Sequence, residues 1–384
     1  MRETIIKVKQ TEVSMRVLIL SCNTGEGHNS CAHAIADAFC ECGDTCDIRD
    51  ALWFISPYFS KFVSDAHTAV YRFSPYFFRA LYAYSKKNAK LFTETSLPYR
   101  LLSEGKAALY DFITLGEYEA VICVHVFAGL LLTSVLRTYG TDIKTGFVAT
   151  DYTCSPGVTS TELNICFIPH LSLKDEFEFP KGSKTQIISS GIPVRKGFES
   201  QKEKTSAKAK FGIPLHKLHL LIMCGSMGCG PVTGLMRKLV RQDMSGVEIT
   251  VVCGRNASLF RRLKSACGNM PQIHIRSYES DISGLLDSAD ILVSKPGGLC
   301  VTEAAVKGVP MISMDTVGAY ETCNSRFFAS AGGAIECKSA HDAAKICEQL
   351  SKDANMRTHM RKMLLNTKTD NSANIICDAM KNLL

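Results

Sequence analysis

The sequence contains no apolar run long enough to cross a bilayer, no Cys-x-x-Cys pair, and no N-terminal segment with the apolar core of a secretory signal. The first and third absences lead us to expect a cytoplasmic protein. The missing Cys-x-x-Cys spacing argues against a structural zinc site, even at the densest group of thiols, Cys40, Cys42 and Cys46. An odd total of 17 cysteines, spread through apolar segments, indicates reduced and buried thiols.

Length and composition indicate a globular protein of two domains. A chain of 384 residues is long for one hydrophobic core, and 46% hydrophobic with 21% charged residues is typical of a folded protein. The formal net charge of +7 is compatible with an anionic partner but does not identify one.

Repeated units of strand, glycine-rich turn and helix predict an α/β fold. Residues 15–21 read as a buried strand, residues 23–30 as a turn and residues 32–40 as a helix, which is the first unit of a doubly wound sheet. A Gly/Pro turn and a charged segment separate these first units from a second series. We therefore predict a leader at 1–14, a domain at 15–195, a linker at 196–205 and a second domain at 206–384.

Polar residues follow several strands of the first domain. His28 lies at the mouth of the first turn, His125 ends the strand at 120–125, and Asp151 ends the strand at 144–151. Because doubly wound sheets bind ligands outside the carboxyl ends of their strands, these side chains are candidates for a site. An imidazole there can accept a proton near neutral pH, although a helix-capping or solvated histidine fits the position as well.

A glycine pair in the second domain is a candidate for binding an anion. Gly297 and Gly298 lie between a strand at 289–293 and a helix at 301–307. Backbone amides at such a turn and the helix dipole favour an anion, and Glu303 could accept hydrogen bonds from both hydroxyls of a ribose. The alternative is an ordinary steric turn, followed by a carboxylate that complements the dipole.

Another glycine-rich turn follows the strand at 218–223. It contains Gly225, Ser226 and Gly228, and the Ser hydroxyl and the loop amides can share the oxygens of a phosphate. Two such turns in one domain favour a phosphate-containing ligand.

Residues 53–84 are unusually aromatic. Twelve of these 32 positions are Phe, Tyr or Trp, whereas aromatic residues make up 8% of the whole chain. Residues 61–106 contain eight Lys or Arg against three Asp or Glu. Rings mixed with cations suit an interface with anionic lipid, and an aromatic helical core with a basic solvent face explains them equally. RNA binding is a third reading, but no RNP-like motif accompanies it, so we expect no nucleic-acid partner.

Six motifs, taken together and in order, resemble one family. They are TGEGHNS from residue 24, ATDYT from 149, SGIPVRKGF from 190, VCGRN from 252, SKPGGLCVTEA from 294 and ETCN from 321. Over roughly residues 15 to 380 the chain is similar to the lipid-directed glycosyltransferases that include processive diacylglycerol glucosyltransferases and plant monogalactosyldiacylglycerol synthases. The resemblance implies a GT-B fold, in which two Rossmann-like domains face each other across a cleft and the second holds most of the nucleotide sugar.

The resemblance also implies roles for individual residues. His28 looks like the family's catalytic base, Asp151 is the next candidate, and Glu303 should bind the uridine ribose. The other expected donor contacts are Gly25, Gly27, Gly225, Ser226, Gly228, Arg255, Tyr278, Ser294, Gly297, Gly298, Thr302, Tyr320, Glu321 and Asn324. The expected acceptor and membrane contacts are Tyr76, Phe77, Phe78, Arg79, Lys86, Lys87 and His125. Tyr320 stands where the family usually has Gln, which leaves the identity of the sugar open.

The implied activity is inverting transfer of a hexose from a UDP-sugar to a diacylglycerol-type lipid, by a peripheral protein on the inner face of the cell membrane. Because the chain has no Asp-x-Asp pair to hold a metal at the diphosphate, we expect no metal and no other cofactor. The alternatives are a nucleotide-sugar sensor without turnover and a GT-B UDP-sugar epimerase, and a homodimer is left open. Intact His28 and Glu303 argue against the sensor, and the aromatic stretch argues against the epimerase, whose soluble substrate does not need it.

Overall fold

A computed structural model describes residues 14–23, 25–223, 225, 228, 230–314 and 318–383. The predicted leader, apart from Ser14, and the predicted phosphate contact Ser226 lie outside the described residues. Within the described part, the backbone forms two parallel sheets of six strands each, with helices between the strands. The predicted α/β architecture with two Rossmann-like domains is therefore confirmed.

The inner strands of the first sheet are buried on both faces. Its strands are β1 (Arg16–Ser21), β2 (Thr45–Asp50), β3 (Ala120–Cys123), β4 (Lys144–Val148), β5 (Ile165–Ile168) and β6 (Gln186–Ser189), in spatial order β2-β1-β3-β4-β5-β6. Along β1, Val17 and Ile19 enter one hydrophobic core and Leu18 and Leu20 enter another, as the continuous apolar run predicts for a parallel strand. Because β1 lies between β2 and β3, the strand order reverses there, and the carboxyl ends of β1 and β3 border a crevice.

The long connection from β2 to β3 contains most of the aromatic segment. The helices of the first domain are α1 (Glu26–Glu41), α2 (Pro57–Phe73), α3 (Pro75–Lys87), α4 (Leu97–Ser103), α5 (Lys106–Leu115) and α6 (Val126–Tyr139). Ser56 caps α2 by accepting a hydrogen bond from the N–H of Tyr58 at 3.2 Å. Pro75 separates α2 from α3, because a proline disfavours helical geometry at the preceding residue but fits the first turn of a new helix.

The second domain repeats the arrangement. Its strands are β7 (Leu218–Met223), β8 (Val247–Val252), β9 (Ile273–Arg276), β10 (Ile291–Ser294), β11 (Met311–Ser313) and β12 (Ala334–Glu336), in order β12-β11-β10-β7-β8-β9. The helices are α7 (Lys196–Glu199), α8 (Lys204–Phe211), α9 (Val232–Leu239), α10 (Ala257–Cys267), α11 (Ile282–Ser288), α12 (Gly298–Lys307), α13 (Ala319–Ser330), α14 (Ala340–Lys352) and α15 (Ala354–Thr367). The helix predicted at 301–307 thus begins three residues earlier, directly at the glycine pair.

The last helix, α16 (Ser372–Lys381), packs against the first domain. Ile376 and Met380 join the core that contains α1 and one face of β1. Lys381 Nζ lies 2.8 Å from Asp44 Oδ2, just before β2. The C-terminal helix therefore packs on the first domain, although residues 206–384 are predicted from the sequence to form one second domain.

Candidate active site

The loop from β10 to α12 presents a helix N-terminus. Ser294 ends β10, Gly297 caps α12 and Gly298 is its first residue, so the first N–H groups of α12 have no partners within the helix. Ser294 Oγ donates to the carbonyl oxygen of Lys295 at 3.1 Å, which orders the turn. Unpaired amides at a helix N-terminus favour an anionic group, as predicted for this turn.

Glu303 is a buried carboxylate on α12. Its residue is 9% exposed. Burial raises the pKa of its carboxyl to about 7, and the positive charge of Arg195 offsets part of this rise. Among the described residues, no hydrogen bond to this carboxylate is found. A buried carboxylate that lacks donors is unfavourable by itself, which is typical of a group that a ligand completes, and the two hydroxyls of a ribose are suitable donors.

Gly228, in the loop after β7, contacts residues just beyond β8. Gly228 adopts a φ of 57°, and a Cβ there would lie 2.0 Å from the carbonyl oxygen of Cys253. Asn256 Nδ2 donates to the Gly228 carbonyl oxygen at 2.9 Å. Gly225 in the same loop has no atom within 4 Å of its Cβ position, so its backbone is open on that side. Gly228 is therefore fixed in position and free space lies beside Gly225, which is compatible with the predicted phosphate contact.

Arg255 connects the two domains near the exposed ring of Tyr278. Its Nη2 lies 2.8 Å from Glu26 Oε1 at the start of α1, and both side chains are more than half exposed. The guanidinium carbon lies 5.7 Å from the centroid of the Tyr278 ring, and Tyr278 is 58% exposed. An exposed ion pair contributes at most about 1 kcal/mol, so Arg255 can exchange Glu26 for an anionic ligand at little cost.

His28 lies in the first turn of α1 rather than in the loop before it. Its Nδ1 is 2.9 Å from the carbonyl oxygen of Val124 and 3.1 Å from Thr150 Oγ1. Because a carbonyl oxygen can only accept, Nδ1 carries the proton of the neutral ring and Nε2 carries the lone pair. The pKa of His28 is lowered to about 4, mainly by burial; the hydrogen bond to the Val124 carbonyl opposes this shift and the nearby His67 adds to it, so the ring is neutral at pH 7.

Two more imidazoles surround His28. The ring of His125 meets that of His28 edge-to-face, with centroids 4.7 Å apart. His125 caps α6, because its Nδ1 accepts a hydrogen bond from the N–H of Phe127 at 3.1 Å, and burial holds its pKa well below the usual range. Burial and the ammonium of Lys295 lower the pKa of His67 on α2, a residue that the sequence analysis does not single out. Within the described ranges, no group of three or more His, Cys, Asp or Glu side chains is arranged to hold a metal ion.

The side-chain amide of Asn324 links the two domains by hydrogen bonds from both its nitrogen and its oxygen. Its Nδ2 donates to Asp151 Oδ1 at 2.8 Å and to the Pro296 carbonyl oxygen at 3.0 Å, and its Oδ1 accepts from the N–H of Tyr152 at 2.6 Å. The Tyr152 hydroxyl lies 3.1 Å from Thr302 Oγ1 on α12. Asn324 and Thr302, both predicted donor contacts, are thus engaged with protein groups in this structure.

Asp151 lies at the N-terminus of α12. Burial raises the pKa of its carboxyl to about 7, the hydrogen bond from Asn324 opposes this rise, and the charge of Glu321 adds to it. The N–H of Gly298 also donates to this carboxylate. A carboxylate of the first domain therefore takes the helix-terminal position for which the sequence predicts an anion.

Gly298 is required by the approach of the first domain. A Cβ on Gly298 would lie 1.9 Å from the carbonyl oxygen of Thr150 and 2.9 Å from Asp151 Oδ1. A Cβ on the adjacent Gly297 would meet nothing within 4 Å. At a third contact between the domains, the Cβ position of Gly27 on α1 lies 3.8 Å from Leu299 Cδ2. The two glycines of the pair therefore have different roles, which their sequence does not distinguish.

The first turn of α13 carries an ion pair and a tyrosine that face different partners. Glu321 Oε1 lies 3.1 Å from Lys295 Nζ, and both side chains are less than 10% exposed. Glu321 Oε2 also accepts from the N–H of Gly318 at 3.0 Å. The neighbouring Tyr320 instead meets rings of α3. Lys295, two residues before the glycine pair, is a charged residue in a buried motif, and that signal could have identified it from the sequence.

Two family models match the chain, one in each half. A family model described as monogalactosyldiacylglycerol (MGDG) synthase matches residues 28–194, and the glycosyltransferase family 28 C-terminal domain matches residues 219–382. The chain is a glycosyltransferase that is similar to the processive diacylglycerol glucosyltransferases and MGDG synthases.

Several relatives span most of the chain. A processive diacylglycerol beta-glucosyltransferase of Bacillus subtilis (strain 168) is 24% identical over 371 residues, which is 94% of each chain. A probable chloroplastic MGDG synthase of Nicotiana tabacum is 26% identical over 364 residues, which is 88% of this chain and 65% of the relative. The crystal structure of MurG from Acinetobacter baumannii superposes with a TM-score of 0.66 at 15% identity and covers 96% of this chain and 99% of that one. The structural likeness shows the fold, which is GT-B as expected.

In this glycosyltransferase the aromatic segment forms helices with an exposed apolar surface. Phe77, Leu81 and Tyr84 are 60%, 53% and 57% exposed. Phe78 instead faces the second domain, and the side chain of Tyr76 lies outside the described residues. The cations predicted beside them are Arg79 and Lys87, which are exposed, and Lys86, whose Nζ donates to Thr153 Oγ1 at 3.2 Å. No helix in the described ranges is long and apolar enough to span a membrane.

Proposed function

We propose that this chain is an inverting glycosyltransferase that moves a hexose from a UDP-sugar to the hydroxyl of a diacylglycerol-type lipid. The observation that carries the proposal is the state of His28. Its Nδ1 proton is held by the Val124 carbonyl, and burial keeps the ring neutral at physiological pH, which leaves the lone pair of Nε2 for an incoming hydroxyl. A sugar-transferring site needs such a base beside a nucleotide-binding domain.

The donor is assigned mainly to the second domain. The uridine ribose donates its hydroxyls to Glu303, and the exposed ring of Tyr278 borders the uracil. The N–H of Gly225 and the amides at the N-terminus of α12 face the diphosphate, and Arg255 adds a positive charge once it leaves Glu26. For the diphosphate to reach the α12 amides, Asp151 must give up its hydrogen bond from the N–H of Gly298.

The reaction is a single displacement. The lipid hydroxyl oxygen attacks the anomeric carbon while His28 Nε2 takes the hydroxyl proton. The bond between the anomeric carbon and the phosphate oxygen breaks, the configuration inverts, and uridine diphosphate leaves. Once Arg255 has left Glu26 and Asp151 has left the α12 amides, these groups stabilise the charge that develops on the diphosphate, which is the largest contribution that such a site can make.

The acceptor is assigned to a membrane surface. The exposed stripe of Phe77, Leu81 and Tyr84 on α3 suits insertion at the level of lipid headgroups, and the neighbouring Arg79 and Lys87 suit anionic lipid. We therefore propose a peripheral enzyme on the inner face of the cell membrane. A homodimer stays a prediction, which light scattering on the purified protein checks.

The experiment is incubation with a panel of UDP-sugars and vesicles that contain diacylglycerol, followed by mass spectrometry of the lipids. A mass gain of one or more hexoses in the lipid supports the proposal. Binding of a UDP-sugar without any lipid product would favour the sensor instead. Conversion of the UDP-sugar to an isomer without lipid would favour the epimerase, and isomer analysis of the nucleotide fraction detects it.

A further inference from the structure

Helix α3 has two adjacent apolar stripes with different neighbours. Phe77, Leu81 and Tyr84, spaced by four and three residues, form one stripe and are more than half exposed. Phe78 and Tyr82, also spaced by four, form the other and face the second domain. A single rigid helix therefore has one face toward the solvent and one toward the other side of the cleft.

The inner stripe of α3 meets the second domain at Tyr320. The Tyr320 ring centroid lies 5.5 Å from that of Tyr82 and 6.2 Å from that of Phe78. The ring of Phe78 also packs edge-to-face against that of His67 on α2, with ring centroids 5.4 Å apart. Aromatic pairs at these distances are favourable beyond their buried area, so the contacts with Tyr320 and His67 bias the position of α3.

Tyr320 is linked to the donor side of the site through the next residue in the chain. Its neighbour Glu321 is paired with Lys295, which lies two residues before the turn at the N-terminus of α12. A shift of α3 relative to α13 would therefore change the space beside the α12 turn. The proposed function places the diphosphate and its attached sugar there.

We propose that Tyr320 couples membrane contact to donor binding, with α3 as the element that both partners bias. This inference rests on the proposed function, because it takes the exposed stripe as the membrane contact and the α12 turn as the donor site. A bilayer that takes up Phe77, Leu81 and Tyr84 holds α3 in place, and the inner stripe then holds Tyr320 against the donor sugar. The sugar in turn stabilises the same position of α3.

Linkage makes the proposal quantitative. If vesicles raise the affinity for a donor by some factor, the donor must raise the affinity for vesicles by the same factor. Couplings of this kind are typically about 5-fold or more, so we expect at least that factor for a UDP-sugar. Uridine diphosphate alone lacks the sugar that meets Tyr320 and should show a smaller factor.

The test measures both affinities by calorimetry and vesicle sedimentation, with the full chain, a UDP-sugar that the enzyme accepts, and vesicles of phosphatidylglycerol without diacylglycerol, so that no turnover occurs. Tyr320→Gln should reduce the factor toward one, and Tyr320→Phe should keep it, because the ring contact survives. Phe78→Ala tests the contact from the other side if Tyr320→Gln does not fold. Tyr139→Gln, on a tyrosine stacked with Tyr110 elsewhere in the first domain, is the matched control and should keep the factor.

Two results together would support the proposal. The two measurements should give the same factor of affinity increase, and this increase should be lost in Tyr320→Gln but kept in Tyr320→Phe and Tyr139→Gln. Independent binding of donor and vesicles by the unaltered protein would overturn it and leave the proposed function intact. Retention of the coupling in both Tyr320→Gln and Phe78→Ala would also overturn it. A protein that binds no vesicles at all would overturn this inference together with the membrane part of the proposed function.

Discussion

Asn324 of the second domain donates a hydrogen bond to Asp151 of the first, with 2.8 Å between Nδ2 and Oδ1. Asn324 is fully buried, and its amide also binds the backbone at Tyr152 and Pro296. One side chain on α13 therefore fixes the first domain against the turn that precedes α12. Single substitutions at this contact can therefore test how the two domains are held together.

Asn324→Ala should lower the free energy of unfolding by about 1–3 kcal/mol, because it removes the side-chain partner of the Tyr152 N–H and the Pro296 carbonyl and one donor from the Asp151 carboxylate. Urea denaturation measures the change. Asn382→Ala, at an exposed position just beyond α16, is the control and should stay within about 0.5 kcal/mol of the unaltered protein. Equal stability of the two variants would mean that the amide does not hold the domains together.

Gly298→Ala and Gly297→Ala should behave differently, although the two glycines are adjacent. An added methyl group at Gly298 collides with the Thr150 carbonyl, whereas one at Gly297 enters open space. We expect a lower melting temperature and weaker donor binding for Gly298→Ala, and a melting temperature close to that of the unaltered protein for Gly297→Ala. Equal melting temperatures would contradict the close approach of the domains at Gly298.

Glu303→Ala should weaken the binding of uridine diphosphate by about 1–3 kcal/mol, the range for hydrogen bonds to a charged group. Glu303→Gln separates the role of charge from that of shape, and Glu336→Gln, an exposed glutamate of β12, is the matched control. Isothermal calorimetry at fixed pH gives the affinities. An unchanged affinity in a folded Glu303→Ala protein would remove Glu303 from the site.

The pKa of Glu303 predicts how donor affinity depends on pH. Ribose hydroxyls donate to the ionised carboxylate, and in the free protein burial raises the pKa of this group to about 7. Below pH 7 the carboxyl is mostly protonated before the donor arrives, so the affinity should fall as the pH is lowered from 8 to 6. Glu303→Gln should lose this part of the pH dependence.

His28→Ala should reduce kcat by about 10² to 10⁴, the usual contribution of a general base, with little change in donor affinity. Its control is His33→Ala, an exposed histidine on the same helix. Because burial lowers the pKa of His28 to about 4, kcat at saturating donor should stay constant from pH 8 down to about 5.5 and fall below that. For an unperturbed imidazole, which is what the sequence alone suggests, kcat would be expected to fall near pH 6 to 7. The burial of His28 moves the expected fall to lower pH.

The same pH profile distinguishes His28 from Asp151. The pKa of Asp151 is about 7, so catalysis by its carboxylate would make kcat fall near pH 7 rather than near 4. Full turnover by His28→Ala together with a fall near pH 7 would move the role of base to Asp151.

Membrane binding should depend on the exposed stripe of α3. Phe77→Ser combined with Tyr84→Ser should abolish sedimentation with phosphatidylglycerol vesicles at an unchanged melting temperature, because both rings are exposed. Binding by the unaltered protein should weaken as salt is raised, since the cations beside the stripe are screened. Leu115→Ser, at an 86% exposed leucine on α5, is the control. Indifference to both lipid charge and the double substitution would contradict the interface.

Local sequence patterns were sufficient to predict the α/β class with two Rossmann-like sheets, and six motifs carried the resemblance to the lipid-directed glycosyltransferases. The buried strands are continuous apolar runs, and glycine-rich turns mark the ends of several, so local pattern was sufficient there. Two edge strands were missed for a physical reason. β2 (Thr45–Asp50) is mostly polar and β12 (Ala334–Glu336) has three residues, so both depend on backbone pairing with an inner strand rather than on their own composition.

The assembly of the candidate site depends on contacts between segments that are distant in the sequence. The tautomer and pKa of His28 follow from a carbonyl 96 positions away and from burial by several elements. The collision that Gly298 avoids, the partners of Asn324 and the inward direction of Phe78 all arise from contacts between the domains. Local sequence specifies which face of a helix is apolar, but burial, hydrogen-bond partners and charge neighbours depend on segments that come together only in the folded chain.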